Sequence, residues 1–494
     1  MDTEQATGHT RQEAYSIYTP REKWFIVFLI AFGGLFSPFT ANIYLPAIPT
    51  LTQAFHKSTE LINITVTVYM VFQGVSPMLF GTLADQIGRR PIFAACLFIL
   101  CASCVGLALV PTNAYWLLVV LRCVQAAGSA STIALGAGVI GDIATPAERG
   151  GFFGLYSVGT NLGPAVGPIL GGVLSDHLGW RAIFWFLCIA SFTCFLVLIT
   201  FLPETLRSMV GNGSIPPPSK IYRPLLPVLG RLSEKPNTSL AAKKSFKNPI
   251  LLFKEWDVDV LLVINGLYNA LYYSVIATMS TLFKEYYPGL SETQIGLCYL
   301  PTSAGMMLGS VVVGRILNVQ YQRILRQLAL SKGADSDTFD VRTEHGIADD
   351  YPIEKARIGV MPYISLVFAA ALAGYGWCIQ YSVNLSGPLI LQTVVGCAAM
   401  ANMTASQTLM VDWVPNQSSS VTACNNLIRC TMGAVCVVLM DVILRSIKPG
   451  WTYVLLTGVC LLTIPLMYLV MKIGPARRKM RKDKVLLEDE RVKS

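Results

Sequence analysis

Apolar runs of about 20 residues recur from Trp24 to Met471, and this recurrence limits the possible folds more than any other feature of the chain. A helix of that length crosses the hydrocarbon core of a bilayer. Lipid offers the backbone no hydrogen-bond partners, so each run must satisfy its own N–H and C=O groups as a helix. Of 494 residues, 53% are hydrophobic and only 14% charged, where an ordinary soluble protein carries about a quarter charged residues. The fold class expected is an all-α membrane protein with many passes. Apolar periodicity places the spans at 24–47, 61–82, 91–110, 115–141, 151–175 and 182–203, then at 258–281, 291–317, 357–380, 385–411, 419–444 and 450–473.

Roughly 50 polar residues separate the sixth span from the seventh and include Pro216, Pro217, Pro218, Lys243, Lys244 and Lys247; they read as a mostly disordered linker. The organisation expected is a segment 1–23, a first bundle 24–207, a linker 208–256, a second bundle 257–473 and a basic tail 474–494. Equal numbers of spans on the two sides of the linker predict an internal repeat. The start of the chain shows no cleavable signal pattern. Arg21, Lys23, Arg89 and Arg90, the linker, the 318–356 loop and the tail supply Lys and Arg, whereas loops 111–114 and 381–386 carry none. By the positive-inside rule both termini and the linker face the cytosol. Asn384 then lies in a glycosylation sequon on the far side, in a short loop, while the sequons at Asn212 and Asn237 are silent. The 13 cysteines fall mostly within apolar runs and read as free thiols. The net charge of +9 is concentrated in particular loops and gives no nucleic-acid signal.

Inside the fifth span, residues 159–172 read GTNLGPAVGPILGG, and no charged side chain occurs between Arg149 and Asp176. Gly159, Gly163, Gly167 and Gly171 recur every four residues and share one face of a helix. A face without side chains admits a second helix unusually close. Pro164 and Pro168 each remove a backbone donor and bend the helix. The spacing is compatible with a generic tight crossing and with the bend of a transporter that changes shape.

The loop after the second span reads Gly81-Thr-Leu-Ala-Asp85-Gln-Ile-Gly88-Arg89-Arg90-Pro91. Asp85 and Arg89 are one helical turn apart and Gly88 breaks the helix, giving a tight charged turn able to dock on a helix end. This stretch resembles the signature loop of the major facilitator superfamily. Arg122-Cys-Val-Gln125-Ala-Ala-Gly128 is similar to that superfamily's buried-arginine motif, with Ala126 in place of its usual glycine, and the 159–172 run resembles its antiporter motif. Pro203-Glu-Thr-Leu-Arg207 resembles the ending of its sixth span. The stretches Ser37–Pro46, Pro352–Arg357 and Asn425–Cys430 resemble a narrower group, the twelve-span fungal drug:proton antiporters of quinidine-resistance and citrate-exporter type. The resemblance implies two six-helix bundles that rock about a central site, a fungal source, and proton-coupled export. In the second half Gly314-Arg315-Ile-Leu-Asn318 has Asn where the loop motif has an acid. Asp142…Arg149 and Asp412…Gln417 stand at corresponding positions in the two halves and read as loop-docking residues.

A charge inside the membrane costs at least about 2.5 kcal/mol and so marks a cavity or a partner. Arg122 and Arg429 are the clear cases; the first span has no acid, and Asp441 is expected to reach solvent near the end of its span. Two arginines without a mid-span acid suit an anionic or neutral substrate. Arg122 is a candidate for coupling by charge, with Gln125 supplying an amide; the alternative is a structural arginine bonded to carbonyls of the first span. Asn42 and Tyr44 in the first span and Asn265, Asn269, Tyr272 and Tyr273 in the seventh are candidate cavity walls, against ordinary packing. No phosphate-binding loop and no Cys/His cluster of metal spacing is present, which argues against an enzyme and against any cofactor. The partners expected are a small-molecule substrate, protons and membrane lipid, with the protein a monomer. The function expected is proton-coupled export of drugs, toxins or secondary metabolites across the plasma membrane. Alternatives are a carboxylate exporter, a non-transporting sensor on the same fold, and a place in the vacuolar membrane.

Overall fold

The computed structural model describes residues 15–145, 148–230, 253, 255–331, 342–343, 346–347, 351–413 and 418–493. The first half comprises α1 (Pro20–Asn42), α2 (Ile48–Phe55), α3 (Thr59–Ile87), α4 (Arg89–Leu109), α5 (Tyr115–Ile143), α6 (Arg149–Leu178), α7 (Arg181–Phe201) and the short α8 (Arg207–Val210). The second comprises α9 (Trp256–Tyr286), α10 (Glu292–Leu297), α11 (Leu300–Ser331), α12 (Ile353–Ile358), α13 (Met361–Gln380), α14 (Ser386–Trp413), α15 (Ser418–Leu461) and α16 (Thr463–Lys493). A two-residue antiparallel pair, Arg342–Thr343 with Gly346–Ile347, lies between α11 and α12.

Local chemistry sets the ends of these helices. Thr19 and Glu22 form a reciprocal capping box that starts α1. Gly88, at φ +130°, separates α3 from α4 in a conformation that a side chain would strain. Among the described residues ten segments are long and apolar enough to cross a membrane. Helix α6 adds a crossing that its glycines and prolines make less apolar. The last of the ten, Val421–Met480, contains two, because its backbone breaks at Lys448 (φ 60°) just before Pro449. Contacts with α9 show the reversal. Asn425 and Arg429 meet Asn265 and Asn269 in the same order, whereas Tyr453 and Thr463 meet Thr278 and Tyr268 in the opposite order. Among the described residues the crossings therefore number twelve.

Within the first half α1 packs on α5 and α6, and α4 on α5 and α7; within the second α9 and α13 pack on α15, and α11 on α14. The halves meet chiefly through α3 against α15 and α6 against α10 and α11. All 13 cysteines are free.

The linker departs from the disordered reading over its first part. Leu225 and Leu226 donate their N–H groups to the carbonyls of Ile199 and Thr200, at 3.2 and 3.0 Å. The last turn of α7 has carbonyls without intrahelical donors, and the linker supplies them. Most of the remaining linker lies outside the described residues.

Candidate substrate and coupling site

Arg122 sits in α5 and is completely buried. Its guanidinium carbon lies 4.2 Å from the ring centre of Tyr44 and 4.4 Å from that of Tyr69. Nη1 donates to Gln125 Oε1 at 2.6 Å, and Gln125 Nε2 in turn contacts Cys104 Sγ at 3.3 Å. Both rings are fixed by their hydroxyls: Tyr44 pairs with Thr65 at 2.8 Å and Tyr69 with Ser129 at 2.6 Å. The hydrogen bond goes to Gln125, and no carbonyl of α1 takes part in it. Nε and Nη2 have no hydrogen-bond partner among the described residues. A desolvated cation–π contact returns about 2 kcal/mol and a charged hydrogen bond about 1.5–3 kcal/mol. Burying the ion costs several kcal/mol and each unmet donor about 1–3 more. The balance leaves a guanidinium that attracts an acceptor.

Arg429 stands in α15, the helix that meets α3 between the halves. It is half-buried, and its Nη2 donates to Asn426 Oδ1 at 3.0 Å. Asn426 Nδ2 reaches across the halves to the carbonyl of Gln73 on α3 at 3.0 Å. Asn269 holds the Arg429 carbonyl at 2.9 Å, and Asn265 bonds Asn425 at 2.5 Å. Tyr273 lies within electrostatic reach of both Tyr69 and Arg429. Tyr272 is buried beside Tyr273, with ring centres 5.7 Å apart. Asn42 is buried and donates to Pro38 O in its own helix at 2.7 Å. Tyr69 and Gln73 were not singled out in the sequence, although Thr65, Tyr69 and Gln73 form a polar stripe at four-residue spacing along α3.

The glycine face of α6 lies inside the first bundle, against α1. A Cβ on Gly159 would stand 2.6 Å from Ala31 O, and one on Gly163 2.6 Å from Phe39 N. Gly167 faces Phe39 O and Ile43 N, and Gly171 faces Ile43 O. The opposite consequence of the sequence appears at the prolines. Pro168 cannot donate to the carbonyl of Pro164, and Ser303 of the second half does so instead at 3.0 Å. Helix α6 is thus closely packed on one side and tied across the halves on the other.

The turn between α3 and α4 is docked within the first half. Arg89 binds Asp85 at 2.7 Å and Asp142 at 3.0 Å. Glu204 accepts from the N–H groups of Arg89 and Arg90 at 2.9 and 3.2 Å. Arg90 donates to the carbonyls of Leu202, Ile199 and Ile221. In the second half Arg357, just before α13, binds Asp412 at the end of α14 at 2.8 Å. This repeats the Arg89–Asp142 pair, so the second half keeps its clamp although Asn318 replaces an acid. The side chains of Arg149 and Gln417 lie outside the described residues. Exposed Asn384 accepts from Ser386 N and Oγ, both at 3.1 Å, in the turn before α14.

The halves are sealed at the end remote from the termini. Thr50 donates to Glu292, Thr293 Oγ1 to Asp176 Oδ2 at 2.7 Å, and Arg445 pairs with Glu60 at 3.0 Å. Asn63 Nδ2 donates to Asp441 Oδ2 at 2.6 Å. Asp441 was expected to reach solvent; it is instead only 7% exposed, because α3 packs over this turn of α15. Beside it lies a cavity of about 210 Å³ lined by Thr59, Thr278, Glu285, Asp441 and Arg445.

Two helical bundles meeting in the membrane along a polar seam, sealed at one end, are the architecture of a membrane transporter. The profile of the Major Facilitator Superfamily matches residues 30–331. Citrate exporter 1 of Aspergillus niger is 34% identical over 475 residues, covering 94% of this chain and 89% of the exporter. MFS antiporter QDR2 of Candida albicans is 33% identical, covering 91% and 88%. The crystal structure of a D-xylose-proton symporter shares the fold at a TM-score of 0.63 with 15% identity, covering 90% of this chain and 96% of that one. The crystal structure of the human organic anion transporter MFSD10 gives 0.58 with 18% identity, covering 91% and 100%. The chain belongs to the major facilitator superfamily. It is a multi-pass transporter of small molecules, and not an enzyme.

Proposed function

We propose that this chain exports small organic molecules from the cytosol in exchange for protons, at the plasma membrane, as a monomer. The observation that carries the reading is Arg122: a wholly buried guanidinium, stacked on two tyrosines and short of acceptors. With basic loops and termini on the cytosolic side, the sealed end faces outward. The state described is then closed to the outside. Arginine keeps its proton, so proton exchange falls to an acid. Asp441, buried where the bundles meet, is the carboxylate best placed for it.

The two arginines favour a second, narrower reading, export of a carboxylate, in keeping with the similarity to a citrate exporter. Reconstituted vesicles decide. An imposed pH step is expected to drive labelled substrate against its gradient, and Arg122→Ala is expected to abolish this while the protein still reaches the membrane. Uptake unchanged by collapsing the pH step rejects proton coupling. Loss of anionic substrates alone in Arg429→Ala selects the carboxylate reading.

A further inference from the structure

We propose that residues 220–228 of the linker form a strap lying in the membrane surface, where it binds acidic phospholipid headgroups. The assignment of the cytosolic leaflet rests on the orientation proposed above; the position at a membrane surface does not.

The strap is more apolar on its outside than a solvated loop should be. Ile221, Leu225, Leu226 and Val228 are 62, 67, 52 and 51% exposed. A contiguous exposed apolar patch marks a contact with something other than water. What it contacts follows from where it is held. The N–H groups of Leu225 and Leu226 are bonded to the carbonyls of Ile199 and Thr200. On the same helix Trp185, Ile189, Phe192 and Leu196 are exposed at steps of three and four residues, a single stripe facing lipid. Leu225 and Leu226 extend that stripe by one turn. The depth is that of an interface: Phe201 at the end of α7 packs edge-on to Phe25 at 5.8 Å, and exposed Trp24 stands beside it in α1. Aromatic residues at helix ends collect at the headgroup level.

The charge has the matching sign. Lys220 and Arg223 are exposed and the strap has no acidic residue. Pro216, Pro217, Pro218, Pro224 and Pro227 fix the backbone, and Arg223 Nη2 is braced on Pro217 O at 3.2 Å. Basic groups above apolar ones, held on a stiff backbone beside a lipid-facing helix, fit the edge of an acidic leaflet. The strap also touches the signature loop. Arg90 donates to Ile221 O, and the Tyr222 ring closes over Gly88. Headgroups bound by Lys220 and Arg223 therefore stabilise the docked form of the α3–α4 turn.

The test uses the full-length protein in nanodiscs carrying photoactivatable phosphatidylserine or phosphatidylcholine with identical acyl chains, and maps cross-links by mass spectrometry. The 220–228 peptide is expected to be labelled, with a serine-lipid preference of at least about fivefold, the value of one basic group near an acidic surface. Lys220→Gln/Arg223→Gln is expected to equalise the two lipids, and Leu225→Ser/Leu226→Ser to lower labelling by both. No labelling above that of the 381–385 loop, or equal labelling by the two lipids in the unmodified protein, overturns the proposal. Neither outcome bears on transport or coupling, which the pH-step experiment reads separately.

Discussion

At the scale of single residues, the main tension is between the cost of burying a cation and the groups that offset it. Tyr44 and Tyr69 recognise a flat, delocalised cation, which a lysine ammonium does not reproduce. Arg122→Lys is therefore expected to lower transport at least tenfold despite keeping the charge, measured against an unchanged quantity of protein at the membrane. A second residue reports on pH. Glu148, between α5 and α6, is held below the usual carboxylate range, first by the hydrogen bond from Lys23 at 2.8 Å and then by the Thr145 N–H. A depressed folded value means that stability is contributed above the ordinary glutamate value of about 4.3 and is lost as pH falls through the folded one. Glu148→Gln is expected to lower the apparent melting temperature slightly at neutral pH. The difference should shrink as pH falls below the ordinary glutamate value and vanish once the carboxylate is protonated in the folded protein too. The side chain is 40% exposed, so solvent keeps the effect small. The arginines were legible because charge is rare in such spans. Tyr44 was singled out as a cavity wall, but that it and Tyr69 would flank Arg122 was not legible, because the two come from separate parts of the chain and tyrosine is common at membrane interfaces.

At the scale of elements, α6 shows how composition becomes contact. Ordinarily alanine is favoured over glycine in a helix by about 1 kcal/mol. At Gly171 a Cβ would run into the Ile43 carbonyl, whereas at Gly154 nothing stands within 4 Å. Gly171→Ala is therefore expected to destabilise by about 1–3 kcal/mol, and Gly154→Ala to be neutral or stabilising, both read as shifts in thermal unfolding in detergent. The glycine spacing revealed that a helix would lie close, but not that it would be α1. The proline spacing showed that carbonyls would be freed; only the packing shows that Ser303, from the other half, answers one of them. The clamp in the second half was hidden for a different reason. Its arginine is not in the 314–318 loop, where the motif is sought, but at Arg357, before the next crossing.

At the scale of the whole molecule, the seal at the far end is a set of polar contacts between two helical bundles. A buried hydrogen bond to a charged group is worth about 1.5–3 kcal/mol. Asp441→Ala is therefore expected to shift the balance toward a far-end-open state by roughly ten- to a hundredfold. Pulsed electron resonance between spin labels at Lys57 and Gly289, both exposed at that end, would show a longer-distance population. An unchanged distance distribution would mean that the remaining contacts of the seal suffice. The expectation that Asp441 reaches water came from its place near the end of a span. It failed because depth in the membrane and burial between bundles are separate quantities.

The crossings, the break at Gly88, the close-packing face of α6 and the membership of a transporter family were all determined by the order of residues, since each follows from local hydropathy, backbone freedom or a contiguous motif. Tertiary structure alone decided which groups face one another: Arg122 between its tyrosines within the first half, and Asn63 on Asp441 and Ser303 on Pro164 across the halves. Those pairings join positions up to hundreds of residues apart; the apolar packing that brings the helices together is non-directional, and no spacing along one chain encodes which surfaces will meet.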